Sequence, residues 1–222
     1  MNPSFNHIIH SWSRSLSKVV KINLGRYGIS PLVALRGVVV DWEFLNACIR
    51  LWDPEAHVFR FGSRMEEMCP LFEEFCSIVG CDPNGTLVRH EIKVGYLKSF
   101  GELFHFSRAQ CQQMVVEDQK IVLSSLVDEF LEVLPEYLER LRLRMRAFVF
   151  CILAGFLFNR DPDFGDLKFC PLIRQMEDMG CIGGMVLAET LRSLDRAALG
   201  FTDWTVSPII LQVFYLSFSL WV

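Results

Sequence analysis

Eight cysteines and five histidines are the residues of this sequence best suited to hold a metal or attack a substrate. A structural zinc site takes four thiolates or imidazoles, usually in pairs two to four residues apart. Cys69, Cys76 and Cys81 form the tightest group, but six and four residues separate them, and His57 and His90 stand too far off to complete a set. The cysteines therefore read as small buried apolar residues, and no metal is expected. Nucleophilic catalysis asks for a Ser or Cys beside a His and an orienting carboxylate. There is no Gly-x-Ser-x-Gly elbow, and His7, His10 and His90 sit in no motif. His57, within Trp52-Asp53-Pro54-Glu55-Ala56-His57, has the richest context. It is expected to be a core histidine, hydrogen-bonded across a hairpin. The adjacent carboxylates Glu73-Glu74 and Glu177-Asp178 would diverge by about 100° on a helix and make poor acid/base dyads.

Nucleotide chemistry fares no better. Gly180-Cys181-Ile182-Gly183-Gly184 lacks the Lys-Ser/Thr of a phosphate loop and follows no clear strand, so it reads as a helix start. Asp161, Asp163 and Asp166 begin like a calcium loop, but Leu172 stands where the bidentate Glu belongs. Arg140, Arg142, Arg144 and Arg146 scatter around a helix and form no stripe for a polyanion; a solvated, ion-paired turn is expected. No catalytic, cofactor-binding or metal-ligating residue is assigned.

The elements that would position these residues come from patterning. The 222 residues fit one domain, taken as 1–222. A composition of 51% hydrophobic and 22% charged residues excludes a disordered tail, a collagen-like repeat and a coiled coil. Nineteen Phe and five Trp supply an aromatic core. The net charge of −4 is too mild to imply a polyanion partner. It is unevenly spread, since Arg14, Lys18, Lys21, Arg26 and Arg36 all precede the first acid, Asp41. This basic, Ser-rich start also fits a transit peptide. The preferred reading of 1–34 is a helix and turn, docked by a stripe of Ile8, Trp12, Leu16 and Val19. Without a signal peptide, free thiols in a reducing intracellular compartment are expected.

Residues 35–204 form the expected core. A helix at 36–51 ends at Asp53-Pro54, because the residue before proline avoids the α region. His57 to Phe61 alternates like a short strand. A helix from Glu66 to Val79 carries Leu71, Phe72 and Phe75 on one face, with Gly80 as its C-cap. After the turn Asp82-Pro83-Asn84-Gly85, Thr86 to Ile92 returns as a strand, giving one small β-hairpin on a mainly α body. Further helices are expected at 107–116, 119–133, from Pro135 to Phe158, and at 183–198 with Leu187, Leu191, Leu194 and Ala198 aligned. The run AFVFCILAGFLF spans only about 18 Å, too short for a bilayer. Residues 205–222 make an apolar C-terminal helix whose packing partners are expected beyond the chain's end; a membrane anchor there is the less favoured reading.

The stretch from Leu35 to Gly80, LRGVVVDWEFLNACIRLWDPEAHVFRFGSRMEEMCPLFEEFCSIVG, resembles the plant mobile domain, a family often labelled aminotransferase-like and found in transposon-derived and host plant proteins. The motif is carried by Trp52, Pro54, Glu55, His57 and Phe59, followed by Glu66 or Glu67, Leu71, Phe75 and Gly80. AFVFCILAGFLF, GGMVLAETLRSL and Ser207 to Gln212 continue the likeness, after which the sequence departs from it, as a truncated copy would. The resemblance implies a helical module in nuclear proteins linked to transposon silencing and gene expression. Its partners would be other proteins, with nucleic acid touched only indirectly and no membrane. The enzymatic label is the alternative it leaves open. However, none of the six lysines stands beside a phosphate-cup sequence of the kind a pyridoxal-phosphate enzyme needs.

Overall fold

The apolar run at 147–158 is the axis around which the other elements pack. In the computed structural model, which describes residues 5–16, 18–64, 66–117, 119–131, 138–158 and 163–219, it closes helix α9 (Leu138–Ile152). A π-helical turn, Leu153–Leu157, follows, where Phe158 N reaches back to Leu153 O. Every side chain from Ala147 to Leu153 is fully buried. Ala, Phe, Val, Ile and Leu, whose side chains cannot hydrogen-bond, fill most of this run, so water has nothing to gain there and burial is favourable all round.

Two short helices, α1 (Phe5–Ser15) and α2 (Lys18–Leu24), lead into a 3-10 turn at Gly25–Tyr27. Trp12 docks α1 as expected: it is fully buried and meets Phe148 of α9 edge to face at 5.4 Å. Leu16 is buried as well, whereas the side chains of Ile8 and Val19 lie outside what the structure describes.

After α3 (Ser30–Leu35), helix α4 (Trp42–Ile49) begins six residues later than the sequence suggests, where the Asp41 side chain caps Phe44 N at 3.0 Å. Strands β1 (Trp52–Asp53) and β2 (Val58–Phe61) form a hairpin, with Trp52–Asp53 in place of the expected Thr86–Ile92 as partner, and β3 (Glu66–Met68) adds a third antiparallel strand. The expected helix from Glu66 is thus shorter. Pro70 disfavours a helical Cys69, Glu67 pairs with Arg60 across the sheet, and α5 (Phe72–Val79) starts only after Pro70. Glu74 Oε2 then accepts from Leu71 N at its start, and Gly80 closes it at φ +101° as predicted.

Thr86 to Ile92 does not pair back as a strand; one parallel bridge, Leu87 to Cys181, is all it makes. The remaining elements are α6 (Leu97–Phe104), α7 (Arg108–Met114), β4 (Val115–Val116), β5 (Lys120–Val122), α8 (Leu123–Leu131), β6 (Phe164–Asp166), α10 (Cys170–Glu177), α11 (Gly183–Ala198) and α12 (Pro208–Ser219). Ser107 caps α7 through Gln110 N, closing at the start predicted for it. β4, β5 and β6 make a second three-stranded antiparallel sheet, so residues 120–122 are strand where helix was expected. The fold is mainly α, with two small sheets rather than a single hairpin. Pro135 and Asp161, read above as a helix start and a loop ligand, lie outside the described residues, as do 220–222.

The C-terminal helix overturns one expectation. Its partners lie within the chain: Ile209, Ile210, Leu211, Phe214 and Tyr215 are buried against α4, α5 and the hairpin. Among the described residues no helix is long and apolar enough to cross a membrane.

Candidate functional site

The Trp52–Phe59 motif folds locally because Asp53 turns the chain. Its Oδ1 accepts from Glu55 N and Ala56 N, at 2.9 and 3.2 Å, while Oδ2 pairs with Arg60 at 2.5 Å. These bonds hold the Asp53 carboxyl below its ordinary pKa, the backbone donors first and Arg60 after them. Pro54 and Glu55 occupy the turn, and His57 leaves it at φ +53°. Trp52 and Phe59 are opposite one another in the ladder, their rings 4.6 Å apart. Phe59 is fully buried and stacks onward to Tyr215 at 4.7 Å and Phe214 at 6.3 Å; Phe75 of α5 reaches Phe214 at 5.3 Å. The hairpin is thereby clamped between α5 and α12.

His57 is not a core histidine. Half of its side chain is exposed, its ring stacks on Trp52 at 5.9 Å, and its Nε2 faces Asp195 Oδ2 on α11 at 3.3 Å. Asp195 Oδ1 also accepts from Trp52 Nε1 at 2.9 Å. Both carboxylate oxygens thus hold the motif in place, and Asp195 had no signal in the sequence beyond being one acid on an amphipathic helix. Of the other motif residues, Leu71 and Glu66 are exposed and Phe75 is buried.

The arginine series is ion-paired as expected but not wholly solvated: Arg142 is exposed and Arg140 half-buried, whereas Arg144 and Arg146 are buried. Arg146 donates to Glu177 Oε2 at 2.8 Å and to Leu103 O at 2.9 Å, and Arg142 reaches Glu177 Oε1 at 2.6 Å. Tyr27 donates its hydroxyl to the same oxygen at 3.2 Å. Burial alone would push the Glu177 carboxyl up, but the two guanidinium groups hold it down at about 2. Arg144 is also buried and donates to Leu131 O and Ser15 Oγ, while Arg140 pairs with Glu129. These contacts hold α9 to its neighbours.

An aromatic surface lies at the junction of α4 with the segment before α12. Trp42 is half exposed and meets Trp204 edge to face at 6.5 Å. Val39, 83% exposed, lies on the segment leading into Trp42, which Gln212 ties to α12 by accepting from Asp41 N at 2.8 Å and donating to Val39 O at 3.2 Å. On α11 the buried face runs through Gly183, Val186, Thr190, Ser193 and Leu194; of the row expected, Leu194 is buried, Leu187 and Leu191 pack half-buried against the core, and Ala198 is exposed. Ser193 Oγ accepts from Thr205 N at 3.1 Å and so fixes the chain next to Trp204.

The cysteines are buried apart from Cys69, and all are free thiols. Sequence spacing grouped Cys69 with Cys76 and Cys81, but the fold removes Cys69 to the surface and brings in Cys181. Burial raises the thiol pKa values of Cys76 and Cys81, and the neighbouring Cys181 sulfur raises both further.

Fold and site together define a mainly α-helical domain with an aromatic-clamped hairpin. No family model matches the chain, and no solved structure matches it. Over 195 residues, 86% of this chain, it is 23% identical to the serine/threonine-protein phosphatase 7 long form homolog of Arabidopsis thaliana. It is a distant homologue of that plant protein and spans 14% of its length.

Proposed function

We propose that this chain is a non-enzymatic interaction module of the plant mobile domain type, acting through partner proteins in nuclear transposon silencing or control of gene expression. The Trp42–Trp204 pair carries the reading. Two tryptophans held edge to face at a surface, with the exposed Val39 on the segment leading into Trp42, offer rigid apolar contact area at low entropic cost, the composition that dominates protein-binding hot spots. The docked partner would be a protein segment with its own aliphatic or aromatic anchor. Two further observations support the assignment. The ionisable groups of the motif, Asp53, His57 and Asp195, are engaged in fixing the hairpin. The match to a small share of a much longer plant protein is what a module embedded in larger chains would give.

Proximity labelling in plant cells tests the proposal, using the whole chain and a Trp42→Ser/Trp204→Ser variant with unchanged melting temperature. Nuclear proteins labelled by the wild type and lost with the variant are the expected result. Identical neighbours for both, or exclusion from the nucleus, would overturn it.

A further inference from the structure

Sulfur atoms from chain positions a hundred residues apart converge between α5 and α11, which pack against each other. Cys76 lies on α5, Cys81 just past its Gly80 cap, and Cys181 two residues before α11. Their three Sγ atoms all fall within 4.8 Å of one another, with Cys76 to Cys181 at 3.5 Å and Cys81 to Cys181 at 3.0 Å. All three residues are buried.

We propose that Cys76, Cys81 and Cys181 form a three-thiolate site for one thiophilic d10 metal ion, Cu(I) or Zn(II), which staples α5 to the start of α11. Metal–sulfur bonds of about 2.3 Å space neighbouring sulfurs about 3.8–4.0 Å apart, so loading requires each sulfur to move by less than about 1 Å. Thiolate donors select such ions over hard cations.

The backbone around the three is fixed before any metal arrives. Gly80 N and Cys81 N both donate to Cys76 O, at 2.7 and 3.0 Å. Cys181 N donates to Thr86 O at 2.7 Å, and its carbonyl accepts from Val88 N at 3.0 Å. Glycine is what lets the chain close over the sulfurs: a Cβ at Gly183 would stand 2.4 Å from Cys76 Sγ and 3.2 Å from Cys81 Sγ. Gly183 opens the first turn of a 16-residue helix, whose positive end favours a thiolate.

Loading exchanges protons for metal. Three thiols and Zn(II) give a trithiolate unit of charge −1 and three protons; Cu(I) gives charge −2 and the same three protons. The smaller buried charge favours Zn(II). Three-fold coordination, with no fourth His, Cys, Asp or Glu in the group among the described residues, favours Cu(I). Nothing in this proposal depends on the docking surface at Trp42, so either can fail alone.

The test uses the whole chain, purified reduced and without oxygen, and titrated separately with Zn(II) and with Cu(I) supplied from a weak chelate. One equivalent of one of the two ions should bind and raise the melting temperature. X-ray absorption on the loaded wild type should show three sulfur neighbours, with or without a single oxygen. Cys181→Ala and Cys76→Ala should each weaken binding by about tenfold or more, whereas Cys111→Ala, buried but outside the group, should not. If the core variants fail to fold, the wild-type absorption spectrum decides alone. No binding of either ion, fewer than three sulfur neighbours, or unchanged affinity in a folded Cys181→Ala would overturn the proposal and leave three packed thiols.

Discussion

Trp52 and Asp195, 143 residues apart in the chain, are joined by a 2.9 Å hydrogen bond from the indole Nε1 to Oδ1. Because the other oxygen of that carboxylate faces His57 at 3.3 Å, a single acid on α11 holds both ends of the β1–β2 turn. The motif that a sequence reader sees as one local string is therefore an anchor for a helix nearly at the other end of the chain. His57, half exposed, contributes far less to the core than Trp52 or Phe59.

Trp52→Ala should destabilise the chain by about 3–5 kcal/mol, the usual range for emptying a buried tryptophan site. Trp52→Phe keeps much of the ring but leaves Asp195 Oδ1 without its donor, and a loss of about 1–2 kcal/mol is expected. His57→Ala should cost under about 1 kcal/mol, because half of its side chain already faces water. Urea unfolding of the three variants gives the order directly. A Trp52→Ala midpoint equal to wild type would contradict the clamp.

How far the sequence discloses this arrangement depends on the range of the force involved. Gly80, Ser107 and the start of α11 at Gly183 were legible because caps and glycine turns are set by neighbours a few residues away. The strand at Glu66–Met68 was not: its acids suit a helix's first turn, and only Pro70 and pairing with β2 decide against it. β5 was hidden for the same reason, since Lys120 to Val122 is strand by virtue of β4 and β6 on either side. Site residues divide along the same line. Trp52 and Phe59 stand in one motif, but Asp195, Trp204 and Cys181 join their partners only through the packing of α11 and α12, which no local pattern encodes. Arg146 was misread because burying a guanidinium is affordable only with a carboxylate in reach, and Glu177 is 31 residues away.

Glu177 makes acid stability a direct readout of that buried pairing. Its carboxyl, ordinarily near 4.5, is held at about 2 in the fold. A depressed acid contributes stability that is complete above the unfolded value and is lost as pH falls toward the folded one. Between pH 4.5 and 2 the chain should therefore lose on the order of 1–3 kcal/mol through this group, after allowance for its partial solvent contact. Glu177→Gln should flatten that limb of the stability curve while lowering stability at pH 7, where Arg142 and Arg146 lose their counter-charge. Thermal melts of both chains across the acid range check this. Parallel acid limbs would show that other carboxylates control the transition.

Gln212 stitches Val39 and Asp41 to α12 with a donor and an acceptor from one buried amide. Gln212→Ala removes both bonds and leaves Asp41 N seeking water at the base of α4, so about 1–3 kcal/mol should be lost. Gln212→Glu separates the two bonds: the carboxylate still accepts from Asp41 N but cannot donate to Val39 O, and at neutral pH it should be worse than Ala. Raising the acidity toward pH 4 should restore part of the difference as the side chain regains a proton. Hydrogen exchange at Asp41 N, protected in the wild type and open in Gln212→Ala, would locate the effect.

Three glycines separate backbone strain from crowding. Gly62 sits at φ +60° with nothing within 4 Å of a would-be Cβ, so Gly62→Ala should cost only the left-handed conformation, about 1 kcal/mol. Gly80 combines φ +101° with a Cβ position 2.3 Å from Pro31 Cδ. The proline ring belongs to α3 and cannot rotate away, so Gly80→Ala should cost clearly more than Gly62→Ala, above about 2 kcal/mol. Gly184 lies in the first turn of α11, where a methyl would find ordinary contacts at 3.6 Å from Leu87 and 3.7 Å from Phe72. There the substitution narrows the unfolded ensemble without strain, and Gly184→Ala should stabilise by up to about 1 kcal/mol. Midpoints falling in the order Gly184→Ala, wild type, Gly62→Ala, Gly80→Ala would show that Gly80 is required by the approach of α3 as well as by the cap. Equal losses at Gly62 and Gly80 would mean that α3 yields, and that the cap's backbone angle alone sets the requirement for glycine.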